Sequence, residues 1–151
     1  MKNKTITVNR KAFHDYIIED TFEAGLVLTG TEIKSIRMGN VNIRDAYARM
    51  ENGEMWLLNA HISRYTAGNR SNHDPVRPRK LLMHKREIRG FGLEVARKGF
   101  TLVPIKIYLK DGRAKVEIGM AKGKKLHDKR RSIADRDSQR ELARVSKWQK
   151  S

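Results

Sequence analysis

Through the first 121 residues the apolar positions recur mostly at every second residue, which predicts strands rather than helices. Two hairpins are nearly explicit. Asn52-Gly53 separates Asp45–Glu51 from Glu54–Ile62, and Asn-Gly accepts positive φ at both central positions of a two-residue turn. On the second arm Trp56, Leu58, Ala60 and Ile62 alternate with Leu57, Asn59 and His61. Asp111-Gly112 likewise joins Thr101–Lys110 to Arg113–Ala121. Val103, Ile105, Ile107 and Leu109 share one face there, matched by Ala114, Val116, Ile118 and Met120. Pro104 interrupts the first of these arms and predicts an edge position or a bulge, because proline cannot donate to a strand ladder.

Upstream, His14–Ile18 and Phe22–Thr29 read as two further strands. A short helix is expected to begin at Thr29-Gly30-Thr31-Glu32, where Thr and Glu stand at capping-box spacing; Ile33 and Ile36 give it an apolar face, and Gly39-Asn40 stops it. The stretch 63–80 is polar, holds two prolines and predicts a loop. Leu81–Lys98 has a helical pattern, with Gly90-Phe91-Gly92 expected to split it into one helix before the glycines and another at Leu93–Lys98. Five or six short antiparallel strands with about three short helices fit a mainly β (α+β) domain, an OB-like β-barrel; a split β-sandwich is the alternative. From Ser132 onward Leu142, Val145 and Trp148 make only a thin apolar stripe, and the like charges Asp137/Glu141 and Arg136/Arg140 repel at i,i+4. The expected organisation is a folded body, 1–121, and a tail, 122–151, that is disordered in isolation.

Charge changes this picture. The 151 residues hold 33 Lys+Arg against 17 Asp+Glu, a formal +16. Residues 1–120 carry 22 basic and 13 acidic side chains, whereas 121–151 carry 11 and 4, so about a fifth of the chain supplies nearly half the net charge. Such an excess repels itself in a compact state and points to a polyanionic partner. Nucleic acid fits better than membrane. There is no apolar run of spanning length, no signal-peptide core in the first residues and no sustained basic amphipathic helix. Cysteine is absent, which removes disulfides, thiolate metal sites and thiol nucleophiles and agrees with a cytoplasmic location.

Candidate chemistry is that of binding. Arg77-Pro78-Arg79-Lys80 followed by Lys85-Arg86 is suited to gripping phosphates, or is a solvated loop and helix face. Lys122-Gly123-Lys124-Lys125 leading to His127-Asp128-Lys129-Arg130-Arg131 is the densest charge run, with a glycine that permits close backbone approach. Glu32 reads first as the cap partner of Thr29; a carboxylate can also accept an exocyclic amine from a base. His14, His61, His73, His84 and His127 show no metal spacing, and His127 and Trp148 are aromatics in a segment without a core, suited to stacking. No nucleophile elbow, phosphate loop or paired nucleophile and base appears, so neither catalysis nor a cofactor is expected.

The segments Asn9-Arg10-Lys11-Ala12, Leu28-Thr29-Gly30-Thr31-Glu32-Ile33-Lys34-Ser35, Asn59-Ala60-His61-Ile62, Asn72-His73-Asp74-Pro75 and Arg77 through Lys85 appear in this order. Leu102-Val103-Pro104-Ile105-Lys106, Ala121-Lys122-Gly123-Lys124-Lys125 and Asp128-Lys129-Arg130 complete the set. The ordered set resembles the SsrA-binding (small protein B) family, the bacterial partners of transfer-messenger RNA. The resemblance implies an OB-like barrel with flanking helices and a monomeric, non-enzymatic adaptor. Its partners would be the tRNA-like domain of transfer-messenger RNA and the small-subunit rRNA of stalled ribosomes. It implies RNA contact by Glu32, Lys34, Arg37, Asn72, Arg77, Arg79, Lys80, His84, Lys85, Lys106, Lys122, Lys124 and Lys125. It assigns to the decoding centre and mRNA channel the tail residues His127, Asp128, Lys129, Arg130, Arg131, Arg136, Arg140, Arg144, Lys147 and Trp148. A helix over 133–148 would span about 24 Å at roughly 1.5 Å per residue.

Overall fold

The computed structural model describes residues 3–65 and 72–123. Strand β1 (Asn3–Val8) leads into a short helix α1 (Arg10–Asp15), and β2 (Tyr16–Leu26) follows directly. Helix α2 (Gly30–Arg37) precedes β3 (Val41–Asn42), β4 (Tyr47–Glu51), β5 (Glu54–Leu58) and β6 (His61–Ile62). After β7 (Arg79–Leu82) come helix α3 (Lys85–Lys98), β8 (Thr101–Lys110) and β9 (Arg113–Gly123). Seven strands form one antiparallel sheet in the order β1-β8-β4-β5-β7-β2-β9, and β9 pairs back onto β8, so six of them make a closed ring. Strands β3 and β6 form a separate two-stranded sheet. The expectation of a mainly β protein with three short helices holds, although the described residues contain nine strands rather than five or six.

Both turns form as predicted. Asn52 and Gly53 have φ of 52° and 77°, and Asp111 and Gly112 have 53° and 81°. Between β8 and β9, Ile107 faces Val116 and Leu109 faces Ala114. At Pro104 the register slips by one residue, the bulge expected of proline. The slip turns the strand over: Leu102 and Ile107 lie in the main core, while Val103 packs with Ala12 and Ala121 in a smaller cluster. The main core is filled by Ile36, Ile43, Met55, Leu57, Leu81, Val116 and Ile118.

Five readings are corrected by contacts distant in sequence. The predicted first strand, His14–Ile18, is the end of α1 and the start of β2. Asn9 caps α1 by accepting from the Ala12 N–H, and its amide donates to Ile43 O and Pro104 O at 3.1 and 2.9 Å. Only Ala12 of that helix is buried, so no periodicity betrayed it. The predicted second strand merges with the first into β2, which bulges between Ile18 and Asp20 and ends before the α2 cap. In the first hairpin β5 stops at Leu58, because Asn59 takes φ 63°; this switches the inward residues from Met55 and Leu57 to Ala60 and Ile62. Arg79–Leu82, expected at the loop–helix boundary, is a strand that pairs with both β5 and β2. Finally, α3 runs unbroken through Gly90-Phe91-Gly92. Phe91 stacks on Phe22 with centroids 4.0 Å apart, and Gly92 admits the Met50 methyl where a Cβ would lie 2.8 Å from it.

Candidate nucleic-acid interface

Helix α2 carries the capping box read from the sequence: Thr29 Oγ1 accepts from the Glu32 N–H, and Glu32 Oε1 accepts from the Thr29 N–H at 2.8 Å. The carboxylate does more than cap. It is fully buried and accepts from Arg79 Nε at 2.7 Å and from Arg77 Nε and Nη2 at 3.0 and 2.6 Å. Arg79 is itself fully buried, and its Nη1 donates to Ala60 O at 2.7 Å. Burial raises the Glu32 pKa, but the Arg77 bond, the Thr29 N–H and Arg79 outweigh it, so the carboxyl is held below its usual range. For Arg79 burial acts in the lowering direction and Glu32 opposes it.

The same helix is fastened along its length to the segment between β6 and β7. Thr31 Oγ1 lies 2.9 Å from His73 Nδ1, whose Nε2 is 2.8 Å from Ile62 O; the Nε2–H tautomer satisfies both contacts, with the threonine hydroxyl donating. Ser35 Oγ donates to Ser63 O at 2.6 Å. Lys34 sits 5.5 Å above the Tyr65 ring, and Asn72 bonds both the N–H and the carbonyl of Tyr65. One anion thus meets two guanidiniums and leaves a net positive centre. Arg79 lies inside, and Arg77 has 32% of its side chain exposed.

The structure therefore gathers Glu32, Lys34, Asn72, Arg77 and Arg79 into one cluster. Direct RNA contact by Glu32 and Arg79 does not fit this geometry, because both are enclosed and spend their polar atoms on one another and on backbone. Asn72, with its amide engaged by Tyr65, is a brace. Lys80 follows on β7 and pairs with Glu54 at 2.8 Å. His84 and Lys85 are exposed where α3 begins, and Glu87 accepts the His84 N–H. Other predicted residues stand apart from the cluster. Arg37 reaches Gly112 O at the β8–β9 turn. Lys106 lies 3.8 Å from Glu117 and 5.4 Å over the Tyr108 ring. Lys122 is an exposed residue of β9, opposite Ile17 and 5.2 Å over the Phe100 ring. Lys124, Lys125 and the tail positions from His127 to Trp148 lie outside the described residues.

Sequence reasoning missed His73 as the pin that fastens α2; only its place in a matched motif pointed to it. It also passed over Arg10, Lys11, Arg44 and Arg49, which the fold collects around two clefts. Among the described residues no group of histidine and carboxylate side chains is arranged to hold a metal, and no helix is long and apolar enough to cross a membrane.

A ring of antiparallel strands that presents arginines and lysines on a rigid, hydrogen-bonded frame defines a basic β-sheet protein of the polyanion-binding class. The comparisons make this specific. The SmpB protein family model matches residues 6–148, and the chain belongs to that family. It is 57% identical over 144 residues to the SsrA-binding protein of Desulforudis audaxviator, covering 95% of this chain and 94% of that one. It is 59% identical over 142 residues to the SsrA-binding protein of Carboxydothermus hydrogenoformans, covering 94% and 95%. A chain in the solved structure described as "tmRNA-SmpB: a journey to the center of the bacterial ribosome" superposes with a TM-score of 0.67 at 50% identity, over 78% of this chain and 83% of that one.

Proposed function

We propose that this protein is the RNA-binding adaptor of trans-translation. It binds the tRNA-like domain of transfer-messenger RNA and brings it to stalled ribosomes, where it contacts small-subunit rRNA. The observation that carries this reading is the identity to SsrA-binding proteins across nearly the whole chain, tail included. The protein performs no bond chemistry, needs no cofactor, acts as a monomer and works in the cytoplasm.

The division of labour runs along the chain. The body holds the tRNA-like domain through exposed cations: Arg77, Lys34, Arg37, Lys80, Lys85, Lys106 and Lys122, with His84 beside them. Each neutralised phosphate releases counterions and makes binding salt-dependent. Glu32 acts indirectly, by fixing the plane of the Arg77 guanidinium, which also donates to Pro78 O and Val27 O, so that the Nη1 N–H left over meets a phosphate already oriented. Arg79 acts one step further back, by holding Glu32. Lys124 and Lys125 extend the cationic surface past β9. The tail residues His127, Asp128, Lys129, Arg130 and Arg131 serve the decoding centre, and Arg136, Arg140, Arg144, Lys147 and Trp148 the mRNA channel.

A competition experiment tests the reading. The full chain is titrated into labelled tRNA-like domain of transfer-messenger RNA with bulk tRNA as competitor. A preference above about tenfold is expected; comparable affinity for both would identify a general RNA chaperone dominated by phosphate contacts.

A further inference from the structure

On the side of the molecule built from α1, the 41–49 segment and β8, two clefts lie next to each other. Their volumes are about 480 and 470 Å³, within the range that takes a nucleotide-sized ligand. Neither is lined by any residue of the Glu32–Arg77–Arg79 cluster. They share Asn9, Lys11 and Arg44, so the wall between them is cationic. Arg49 lines the first cleft and Arg10 the second.

The wall is rigid for a reason read from its bonds. Asn9 is buried, and its side chain ties the start of α1 to Ile43 O and Pro104 O. Three elements are thereby held at fixed spacing beneath Lys11 and Arg44.

The charges facing these clefts are unevenly committed. Lys11 pairs with Asp45 at 3.0 Å, Arg49 with Glu51 at 2.6 Å, and Asp15 lies against His14. The side chains of Arg10 and Arg44 have no ion pair among the described residues. Arg49 Nε is the one buried side-chain nitrogen or oxygen among them without a hydrogen-bond partner. The first cleft also has tyrosine in its rim: Tyr47 is 38% exposed, with Tyr16 beside it.

We infer that these two clefts and the Lys11–Arg44 wall between them form a second RNA site, which takes two successive nucleotides of a single strand. A base in the first cleft stacks on Tyr47, the phosphate that links it to the next nucleotide lies on Arg44, and the following nucleotide enters the second cleft. Unpaired strands suit such a site because their bases are free to enter clefts and stack on aromatic rings, which duplex RNA does not allow. The inference rests on the proposed role only in taking RNA as the polyanion.

The test uses the full chain and a fluorescein-labelled, non-pairing RNA decamer of A and U, read by fluorescence anisotropy with and without saturating tRNA-like domain RNA. The decamer is expected to bind in both conditions. Arg44→Ala with Arg49→Ala should weaken it about tenfold and reduce the salt slope by about 0.7, as expected for one lost phosphate contact on a single strand. Tyr47→Ala should weaken it fivefold or more and Tyr47→Phe should not, because stacking needs the ring and not the hydroxyl. All three variants should hold the tRNA-like domain within twofold of the unmodified chain, and Arg113→Ala, at the β8–β9 turn, should change neither RNA. An unchanged decamer affinity in the double variant would overturn the site, as would displacement of the decamer by tRNA-like RNA. Displacement by an equal concentration of AMP would indicate a mononucleotide pocket and overturn the two-cleft track. Failure of the proposed function would register elsewhere, as a lost preference for the tRNA-like domain over bulk tRNA.

Discussion

Glu32 and Arg79 face one another at 2.7 Å with no exposed surface on either side chain. They join the first turn of α2 to the first residue of β7 across 47 positions of sequence. Removing Glu32 strands Arg79 as a buried charge, which costs about 3–5 kcal/mol, and Glu32→Ala should lower the urea midpoint by that equivalent. Arg79→Ala leaves Glu32 its bonds to Arg77 and the Thr29 N–H but empties a fully buried position, so it should cost stability too, at the lower end of that range. Arg77→Ala, which removes the half-exposed arm, should cost markedly less stability while still weakening tRNA-like RNA. Equal stability losses for Arg77→Ala and Arg79→Ala would contradict the inner and outer roles.

The same pair sets an acid dependence. The folded-state pKa of Glu32 is lowered, since its bonds to Arg77, Thr29 and Arg79 outweigh the effect of burial. The unfolded state therefore binds the proton first. The stabilisation is fully present above the ordinary glutamate range, about 4.3, and is lost as pH falls through the lower folded value. Urea midpoints measured from pH 6 to pH 3 should fall steeply in the unmodified chain and less steeply in Glu32→Gln.

At the alkaline end Tyr108 is the sensitive group. Its hydroxyl donates to Glu23 across the strands. Burial, the Glu23 bond and the charge of Glu23 all push its pKa up. A raised value means stability present below the ordinary tyrosine pKa, about 10, and lost as pH rises through the folded one. In an ultraviolet titration Tyr108→Phe should remove a tyrosinate step that lies above the ordinary tyrosine range.

Two glycines should respond to alanine with opposite signs. Gly90 lies inside α3 with nothing within 4 Å of an added Cβ, so Gly90→Ala should stabilise by about 0.5–1 kcal/mol through helix propensity. A Cβ on Gly119 would lie 2.7 Å from Ile105 Cδ1 and 3.0 Å from Ile18 Cγ2. Gly119→Ala should cost about 1–3 kcal/mol as an overpacked core does. Thermal midpoints moving apart would bear this out, and both moving down would not.

The proposed division between body and tail predicts separable losses. Deleting residues 132–151 should leave tRNA-like RNA binding within about twofold and abolish tag addition in a reconstituted translation reaction. Lys34→Ala with Lys85→Ala and Lys122→Ala should reduce the salt slope of tRNA-like RNA binding by one to three, at roughly one unit per phosphate contact. Strong loss of RNA binding on tail deletion would place the main contact in the tail.

Sequence alone determined what short-range chemistry governs. The two turns followed from Asn52-Gly53 and Asp111-Gly112, the α2 cap from Thr29 and Glu32, the bulge from Pro104, and the polyanionic partner from the charge excess. The ordered motifs named the family. Tertiary structure decided what depends on partners far along the chain. Arg79–Leu82 is a strand because β5 and β2 flank it, although its own pattern leads into a helix. Gly90 and Gly92 stay helical because Phe91 meets Phe22 and Gly92 meets Met50. Asn59 turns the end of the first hairpin over, through a single left-handed residue that alternation cannot reveal. Above all, spacing gave Glu32 one partner, three residues away. Folding gave it two more, 45 and 47 residues away, and so made a helix cap into the buried anchor of a basic surface. Hydrogen bonds within a turn are fixed by neighbours in sequence, whereas a buried charge takes its role from whichever side chains the core encloses with it.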